Sequence, residues 1–424
     1  MAELPAVPPP LSPRPLRVLM LTDDVFQWDR RILQEAESLL QRGAAVGLPV
    51  GEVALFGLSP ALPTPSKLPA GARCIAWPAD PATTRGIGLR ERIWRAGSRL
   101  GLRRVLEWAT YRFRDPAGGI VRLHAGRPEL AGFDVVVAHA LPVLPLALAL
   151  HERCGSRVVF DAHEVFDAQW DSLRTEAARR YWRTVGDRDV AKAHATMTVT
   201  PQVAGALAAR HRLAVTPAVV FNACPFVEQP SARGRLRALY AIPDAPRLVL
   251  CQGGLLPHRG LEELCAAGRF LDAARVRIVF LGHGEPAYVR RLAAGAADCV
   301  HLGRSVTQDE LLAHTVDADL GVITDRGPGI NNTLGGPNRL FEYLQARVPV
   351  LSHEHEGVRA VLAAAGTGWV ERWRGPRELA ERIGQCLDRA PSIDRAARDR
   401  AARQFSWEAQ EPALFATLRR ALRA

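Results

Sequence analysis

The segment GGPNRLFEYL, from Gly335 to Leu344, combines residue types that suit the binding of an anion. A pair of glycines precedes Pro337, and proline is favoured in the first turn of a helix. The helix that follows would present unpaired backbone N–H groups and the positive end of its dipole, which together attract phosphate. Arg339 lies three residues before Glu342, on roughly the same helix face, and its guanidinium suits a charge-assisted hydrogen bond to phosphate. The segment therefore predicts an anion site; a capped surface helix is the alternative.

Four further polar residues stand at the ends of predicted strands or in a loop after one. His139 ends the apolar run VVVA, and His163 with Glu164 ends the run RVVFDA. Arg259 precedes Gly260 in the loop-like segment LLPHRG. In a doubly wound parallel sheet, ligands bind beyond the carboxyl ends of the strands. These residues are therefore site candidates, although each histidine is equally suited to satisfying buried backbone groups.

The elements that must position these residues alternate between short apolar runs and helix-like stretches. RVLMLTDD (17–24) predicts a buried strand, and DRRILQEAESLLQRG (29–43) predicts a helix with Gly43 as its C-terminal cap. Further strands are predicted at 133–140, 157–164, 195–200, 247–254, 277–284, 299–303, 318–323 and 348–352. This alternation is typical of α/β domains with parallel, doubly wound sheets.

The length of 424 residues suits two domains of about 200 residues each. A polar, proline-containing stretch interrupts the alternation at 226–246 and predicts a linker. We therefore expect a proline-rich disordered tail at 1–16, Rossmann-like domains at 17–225 and 247–404 on either side of the linker, and an amphipathic terminal helix at 405–424.

The composition, 48% apolar and 23% charged, is that of a globular protein. Seven cysteines, odd in number and without a CxxC spacing, argue against a disulfide framework or a zinc site. The first residues lack the apolar core of a secretory signal, and no later stretch reaches about 18 uninterrupted apolar residues. We therefore expect a cytoplasmic protein.

The net charge of +11 comes almost wholly from arginine, since Lys67 and Lys192 are the only lysines. Residues 85–127 contain eleven arginines and three acidic residues, interleaved with tryptophan, tyrosine, phenylalanine and aliphatic residues. Such a basic amphipathic stretch is typical of peripheral binding to an anionic membrane, here the inner face of the plasma membrane. A solvated arginine-rich face of the domain itself is the alternative. No recognised nucleic-acid module accompanies the charge, so no nucleic-acid partner is expected.

The order and spacing of these segments resemble the GT-B fold, two Rossmann-like doubly wound domains facing a cleft, and within it the family-4 glycosyltransferases. In the first half the resemblance rests on DRRILQEAESLLQRG, FDVVVAHALPVLPLALAL and VVFDAHE. In the second half it rests on QGGLLPHRG, FLGHGE, VHLG, ADLGVI and, most specifically, PNRLFEYLQARVPVL. It covers nearly the whole chain from Arg17.

The resemblance implies transfer of a sugar from a nucleotide-diphosphate sugar to a saccharide or lipid-linked acceptor, with retention and without a metal. It implies catalytic roles for His139, Arg259 and Glu342, with Arg259 on the diphosphate and Glu342 on the ribose hydroxyls. It implies acceptor-side roles for His163 and Glu164. The expected donor-binding residues are Gly253, Gly254, Arg259, Gly260, Asn332, Gly335, Gly336, Asn338, Arg339, Leu340 and Glu342.

Two positions depart from the family's pattern. Leu334 stands eight residues before Glu342, where many members carry a second glutamate, and Gly254 stands five before Arg259, where an arginine is frequent. The polar residues at 331–333 are candidates to replace the lost hydrogen bonds. The departures leave two other functions open: a nucleotide-sugar epimerase of the same fold, and a nucleotide-sugar-binding protein without turnover.

No metal or cofactor is expected. Asp317 and Asp319 form the D-x-D pattern that binds a metal in another glycosyltransferase fold, but they lead into a buried strand and lack other ligands nearby. Gly282 and Gly284 in LGHGE lack the third glycine of a dinucleotide fingerprint, so no nicotinamide cofactor is expected.

Overall fold

A computed structural model describes residues 14–23, 29–58, 68–75, 102–168, 175–230, 234–325 and 329–424. The chain divides into two compact units, Met1–Val220 with Glu411–Ala424, and Phe221–Gln410. Most of the predicted tail, and residues 85–101 of the arginine-rich segment, lie outside the described residues. No helix within the described ranges is long and apolar enough to cross a membrane.

The first unit is built on a seven-stranded sheet whose neighbouring strands all pair in parallel. The predicted strands of this half appear, and three more (the second, third and seventh) were not identified from the sequence. The strand order β3-β2-β1-β4-β5-β6-β7 reverses between β1 and β4, which makes their carboxyl ends the switch point of this sheet. The strands are β1 (Leu16–Thr22), β2 (Val50–Gly57), β3 (Ala72–Cys74), β4 (Val135–His139), β5 (Arg157–Ala162), β6 (Ala195–Thr198) and β7 (Ala218–Val219).

The helices of the first unit before Val220 are α1 (Arg30–Arg42), α2 (Arg103–Phe113), α3 (Pro116–His124), α4 (Leu144–Cys154), α5 (Glu176–Asp189) and α6 (Pro201–His211). Helix α1 begins where Asp29 Oδ1 accepts a hydrogen bond from the Arg31 N–H at 3.0 Å. Gly43 is its C-cap, as predicted, but with a right-handed φ of −55°. A Cβ at Gly43 would lie 2.4 Å from the Leu48 carbonyl oxygen, so lack of space and not backbone conformation requires glycine there.

The second unit is built on a six-stranded parallel sheet in the order β10-β9-β8-β11-β12-β13, with its switch point between β8 and β11. All five predicted strands of this half appear, and the sixth was not identified. The strands are β8 (Arg247–Gln252), β9 (Val276–Leu281), β10 (Val300–Arg304), β11 (Leu320–Ile323), β12 (Val350–Ser352) and β13 (Gly368–Val370). The helices are α7 (Arg235–Tyr240), α8 (Leu261–Ala267), α9 (Pro286–Ala294), α10 (Gln308–Thr315), α11 (Asn331–Leu334), α12 (Asn338–Gln345), α13 (Glu356–Ala365), α14 (Pro376–Arg389) and α15 (Arg395–Gln404).

Helix α12, which carries the predicted anion site, is seated directly on the sheet. Tyr343 Oη donates a hydrogen bond to the Leu250 carbonyl at 2.8 Å and accepts one from the Gln252 N–H at 3.2 Å. A Cβ at Gly321 would lie 2.6 Å from the Tyr343 ring. The absence of a side chain at Gly321 therefore allows α12 to approach β8 and β11 closely.

Residues 226–246, predicted as a linker, contain α7. Asp317 Oδ2 accepts a hydrogen bond from the Leu236 N–H at 2.6 Å, and Leu236 and Ile242 are buried in the core of the second unit. This stretch is thus packed into the second unit.

The terminal helix α16 (Glu411–Arg423) begins six residues later than the predicted segment and belongs to the first unit. Glu411 accepts hydrogen bonds from Ser38 Oγ at 2.6 Å and from Arg42 Nη1 at 2.7 Å, both on α1. Leu414 and Leu418 are fully buried, and the helix packs on β5 and β6. The chain therefore returns to complete the core of the first unit.

We expect the Leu418→Ala substitution to lower the free energy of unfolding of the first unit by about 2–5 kcal/mol, because it leaves a cavity between α16 and the sheet. Chemical denaturation monitored by circular dichroism measures this change. The exposed Arg420→Ala substitution on the same helix is the control and should have little effect. An equal loss in both variants would contradict the role given to α16.

Candidate functional site

The predicted RG loop lies at the switch point of the second sheet. Gly260 has φ 66°, and a Cβ there would lie 2.5 Å from the Thr324 carbonyl oxygen, so the position requires glycine on both counts. Thr324 Oγ1 donates a hydrogen bond to the Arg259 carbonyl at 2.6 Å. Gly253, directly after β8, has φ 104°. The loop after β8 is thus tied to the end of β11.

Two guanidinium groups and one carboxylate gather at this switch point. Arg339 pairs with Asp325, two residues after β11, and is 5% exposed. Burial opposes the charge of Arg339, but the Asp325 carboxylate outweighs burial and raises the pKa of the guanidinium. For Arg259, burial and then the nearby Arg339 charge lower the pKa. The two cations therefore repel each other, and an anion placed beside them would relieve that repulsion.

The donors of these arginines are only partly used. Arg259 Nη1 donates to the Gly254 carbonyl at 3.2 Å. Arg339 Nε is buried and has no hydrogen-bond partner within the described part of the chain. An unpaired buried donor is costly, so this nitrogen is suited to bind an acceptor such as a phosphate oxygen.

Helix α12 begins beside these arginines. Pro337, predicted within the first turn, is instead the N-cap residue, and no side chain among the described residues caps the helix. Gly335 and Gly336 precede it, and a Cβ at Gly357 of α13 would lie 2.1 Å from the Gly335 carbonyl oxygen. The exposed Asn338 is its first residue. The uncapped start leaves backbone N–H groups available to an anion.

Glu342 lies one turn further along α12 and is 8% exposed. Its Oε2 accepts a hydrogen bond from Gln252 Nε2 at 2.7 Å, and its Oε1 accepts one from Gln308 Nε2 at 3.4 Å. Gln252 Oε1 in turn accepts from Thr315 Oγ1 at 2.9 Å. Sequence reasoning did not identify Gln252, Gln308 and Thr315 as supporting residues. Of the three, only Gln252 had a recognisable feature in the sequence, its position at the end of a strand.

The other predicted donor-binding residues in this region differ in how deeply they are buried. Leu340 is fully buried in the core, and its N–H donates to the Pro337 carbonyl at 2.9 Å, so it supports the helix from within. Asn332 is half-buried in α11, and its N–H donates to the Gly329 carbonyl at 3.1 Å. Leu334, the departure from the second glutamate, ends the same short helix.

The D-x-D carboxylates have structural roles. Besides the Leu236 N–H, Asp317 accepts from the Arg237 N–H at 3.3 Å and so caps α7. Asp319 Oδ2 accepts from the Leu248 N–H at 2.8 Å, at the start of β8. Both side chains thus stabilise backbone groups of the second unit.

In the first unit, Asp161 brings together the two predicted histidines. His139 ends β4 beside β1 and pairs in register with Asp161 of β5. His139 Nδ1 lies 3.0 Å, and His163 Nε2 lies 2.9 Å, from Asp161 Oδ2. Glu164 lies half-buried in the turn after β5.

Arg31 of α1 neutralises Asp161. Its Nε and Nη2 each donate to one Asp161 oxygen at 2.8 Å, and its Nε lies 3.0 Å from Glu35 Oε1. His139 Nε2 lies 4.0 Å from Glu35 Oε2, and neither of these two atoms has a hydrogen-bond partner within the described ranges. Sequence reasoning missed Asp161, Arg31 and Glu35, although Asp161 and His163, two residues apart, would share a strand face.

The charges of this network follow from its burial. Burial opposes the charge of Asp161, but Arg31 and His163 hold the pKa of Asp161 well below its usual range. Burial raises the pKa of Glu35 well above its usual range, with Asp161 adding to the effect. Burial lowers the pKa of His139. Burial also disfavours charge on His163, but Asp161 outweighs it and raises the pKa of His163 to about 9. Near neutral pH, His163 is therefore a cation, whereas His139 is neutral.

His139, Asp161 and His163 also have the ligand types of a metal site, with donor atoms within 4.8 Å of one another. The Arg31 guanidinium donates a hydrogen bond to each Asp161 oxygen and would place a positive charge beside a metal held there.

We expect the His163→Gln substitution to remove a pH-dependent part of the stability. Folding raises the pKa of His163 from 6.5 to about 9, so its contribution is complete below about pH 6.5 and is lost as the pH rises through about 9. The gap in unfolding free energy between wild type and variant should therefore shrink by up to about 3 kcal/mol across this window. Urea denaturation at a series of pH values measures it. The exposed His283→Gln substitution is the control; a pH-independent gap for His163→Gln would contradict the assignment.

Residues 246–389, within the second unit, match the family model of the glycosyl transferases group 1. No curated protein matches the sequence. Solved structures match nearly the whole chain at low identity, which shows a shared fold.

Three of these structures illustrate the likeness. Anabaena HepE, in complex with UDP and glucose, has a TM-score of 0.66 at 14% identity, covering 95% of this chain and 99% of its own. Sucrose-phosphate synthase from Thermosynechococcus elongatus has a TM-score of 0.64 at 15% identity, covering 95% and 98%. WaaG, a glycosyltransferase involved in lipopolysaccharide biosynthesis, has a TM-score of 0.60 at 16% identity, covering 94% and 99%. Taken with the strand order of both sheets, these matches identify a protein of two Rossmann-like GT-B domains, the second of which matches the model of the group 1 glycosyl transferases over residues 246–389.

Proposed function

We propose that this protein is a glycosyltransferase that moves a sugar from a uridine-diphosphate sugar to a saccharide or lipid-linked acceptor. The observation that carries the proposal is the pair of guanidiniums at the switch point of the second sheet, that of the half-buried Arg259 and that of the buried Arg339, beside the uncapped start of α12. This grouping suits a diphosphate, which carries two adjacent anionic groups.

Cleavage of a sugar–diphosphate bond builds negative charge on the departing phosphate. Preorganised donors aimed at that charge lower the barrier, and they are most effective where water is excluded. Arg259, Arg339 and the first N–H groups of α12 would supply these donors. We therefore propose transfer without a metal ion and without any other cofactor.

The base is proposed from a similar solved structure, and the ribose contact is proposed from the geometry of Glu342. Anabaena HepE has been solved with UDP-glucose as well as with UDP and glucose, which favours uridine as the base. Glu342, held by Gln252 and Gln308, presents a buried carboxylate that would accept hydrogen bonds from the ribose hydroxyls. Gly253, Gly254, Gly260 and Asn332 are proposed as further donor contacts.

We assign the acceptor to the first unit. His163 and Glu164 lie on the half-buried turn after β5, and His139 is coupled to His163 through Asp161. WaaG acts in lipopolysaccharide biosynthesis, which supports a saccharide or lipid-linked acceptor. Retention of configuration and membership of glycosyltransferase family 4 are proposed from the sequence resemblance.

We propose a cytoplasmic location. All seven cysteines are free thiols, and one of them, Cys154, is exposed. Free thiols are typical of a reducing compartment.

We expect the Arg259→Gln substitution to weaken binding of both UDP and inorganic pyrophosphate by about tenfold to a hundredfold, because it removes one cation from the diphosphate. Isothermal titration calorimetry measures both affinities. The control is Arg395→Gln in the same unit, whose side chain is 87% exposed. Unchanged pyrophosphate binding in Arg259→Gln would refute the diphosphate site.

We expect the Glu342→Ala substitution to weaken UDP binding about tenfold while leaving pyrophosphate binding unchanged, because the carboxylate acts on the ribose. Equal weakening of both ligands would contradict that role.

In the wild type, sugar transfer or donor hydrolysis above background would establish turnover. Binding without any reaction would indicate a nucleotide-sugar-binding protein, and interconversion of donor sugars without an acceptor would indicate an epimerase.

A further inference from the structure

One side of helix α2 is fastened to the first unit. Glu107 Oε2 accepts a hydrogen bond from the Thr175 N–H at 2.9 Å, just before α5. The Tyr111 ring lies 5.4 Å from the Tyr181 ring and 6.1 Å from the Trp182 ring, between centroids. The contacted residues lie on α5 or at its N-cap. The face of α2 that carries Glu107 and Tyr111 therefore packs on the domain, and the opposite face turns away from it.

That opposite face is apolar and exposed. Val105 is 58% exposed and Trp108, one turn later, is 46% exposed. Leu102, just before the helix, is 47% exposed, and Phe113 at its end is 72% exposed. Trp108 and Phe113 pack edge to face, with ring centroids 5.6 Å apart. Large apolar side chains that are exposed as a group, and not singly, mark an interaction surface.

Cations surround this apolar group. Arg104, Arg112 and Arg114 are exposed along the same stretch, and the Arg112 guanidinium lies 5.8 Å from the centre of the Phe113 ring. These three arginines outnumber the two acidic residues of this stretch, Glu107, which is turned toward the Thr175 N–H, and Asp115, which lies 3.7 Å from Arg122 Nη1. The exposed charge on this side is therefore positive.

We infer that this surface, formed by Leu102, Val105, Trp108 and Phe113 with Arg104 and Arg112, docks on an anionic lipid bilayer. Tryptophan and phenylalanine partition into the interface between headgroups and acyl chains, and flanking arginines bind anionic headgroups. Aliphatic Leu102 and Val105 gain from burial among acyl chains but would find no stacking partner on a nucleic acid. The helix lies in the plane of the interface and does not cross the membrane.

Such docking goes beyond sugar transfer, because it depends on neither the donor nor the acceptor. It would hold the protein at the surface where a lipid-linked acceptor resides.

The test is co-sedimentation of the full-length protein with vesicles of phosphatidylcholine alone or mixed with phosphatidylglycerol. We expect wild type to partition onto the mixed vesicles only. The Trp108→Ser/Phe113→Ser variant should lose about tenfold or more in partition coefficient, and so should Arg104→Gln/Arg112→Gln. The second variant tests the same surface without removing an apolar side chain, and thermal unfolding checks that both variants remain folded.

Phe270→Ser is a matched control, because Phe270 in the second unit is 46% exposed, as Trp108 is, and also lies beside an arginine, Arg377, 4.6 Å from its ring centre. It should sediment as wild type does. Equal recovery from neutral and anionic vesicles, or an equal loss in the control, would overturn the inference. It would also be overturned if the α2 variants sedimented normally but lost self-association in light scattering, or lost RNA binding in a filter assay.

Discussion

A buried guanidinium must meet a carboxylate, and this requirement organises the carboxyl edge of both sheets. An unpaired charge in an apolar interior costs several kcal/mol, which neither unit could absorb within ordinary marginal stability. In the first unit Arg31 of α1 pairs with Asp161 of β5, and in the second unit Arg339 of α12 pairs with Asp325 after β11. Each pair holds a helix against the sheet near the switch point. The pair therefore also fixes the positions of the side chains around it.

The two pairs differ in what they leave unsatisfied. In the first unit, Asp161 accepts from Arg31 and lies within hydrogen-bonding distance of both His139 and His163, and the main effect of this network is to set protonation states. Among the described residues of this network, the buried atoms without a hydrogen bond are the two Glu35 carboxyl oxygens and His139 Nε2. In the second unit, Asp325 balances only one of two neighbouring cations, and Arg339 retains an unused buried donor. This excess of positive charge and of donors is what suits the second unit to a diphosphate.

Much of the fold was predictable because buried parallel strands are continuous apolar runs, which stand out against amphipathic helices. The runs ending at His139 and Gln252 are examples. The strands that escaped identification are short or have an interrupted apolar run: β3, β7 and β13 have three residues or fewer, and β2 opens on VGE, in which glycine and glutamate interrupt the run. Such strands owe their conformation to pairing with a neighbour.

The sequence alone determined the alternation of strands and helices, the presence of a helix after the Gly335–Gly336 pair, and the set of arginine, glutamate and histidine candidates, because these depend on local spacing and residue type. Only the tertiary structure decided what each candidate touches. Arg31 contacts Asp161, which is 130 residues away in the sequence, and Gln252 contacts Glu342, which is 90 residues away. Glu411 contacts Ser38 of α1, which is 373 residues away. No local pattern encodes such pairings, because they arise when strand order and helix packing bring distant residues to one edge of a sheet. For the same reason, Leu340, a site candidate by position, is a core residue once α12 is seated on the sheet.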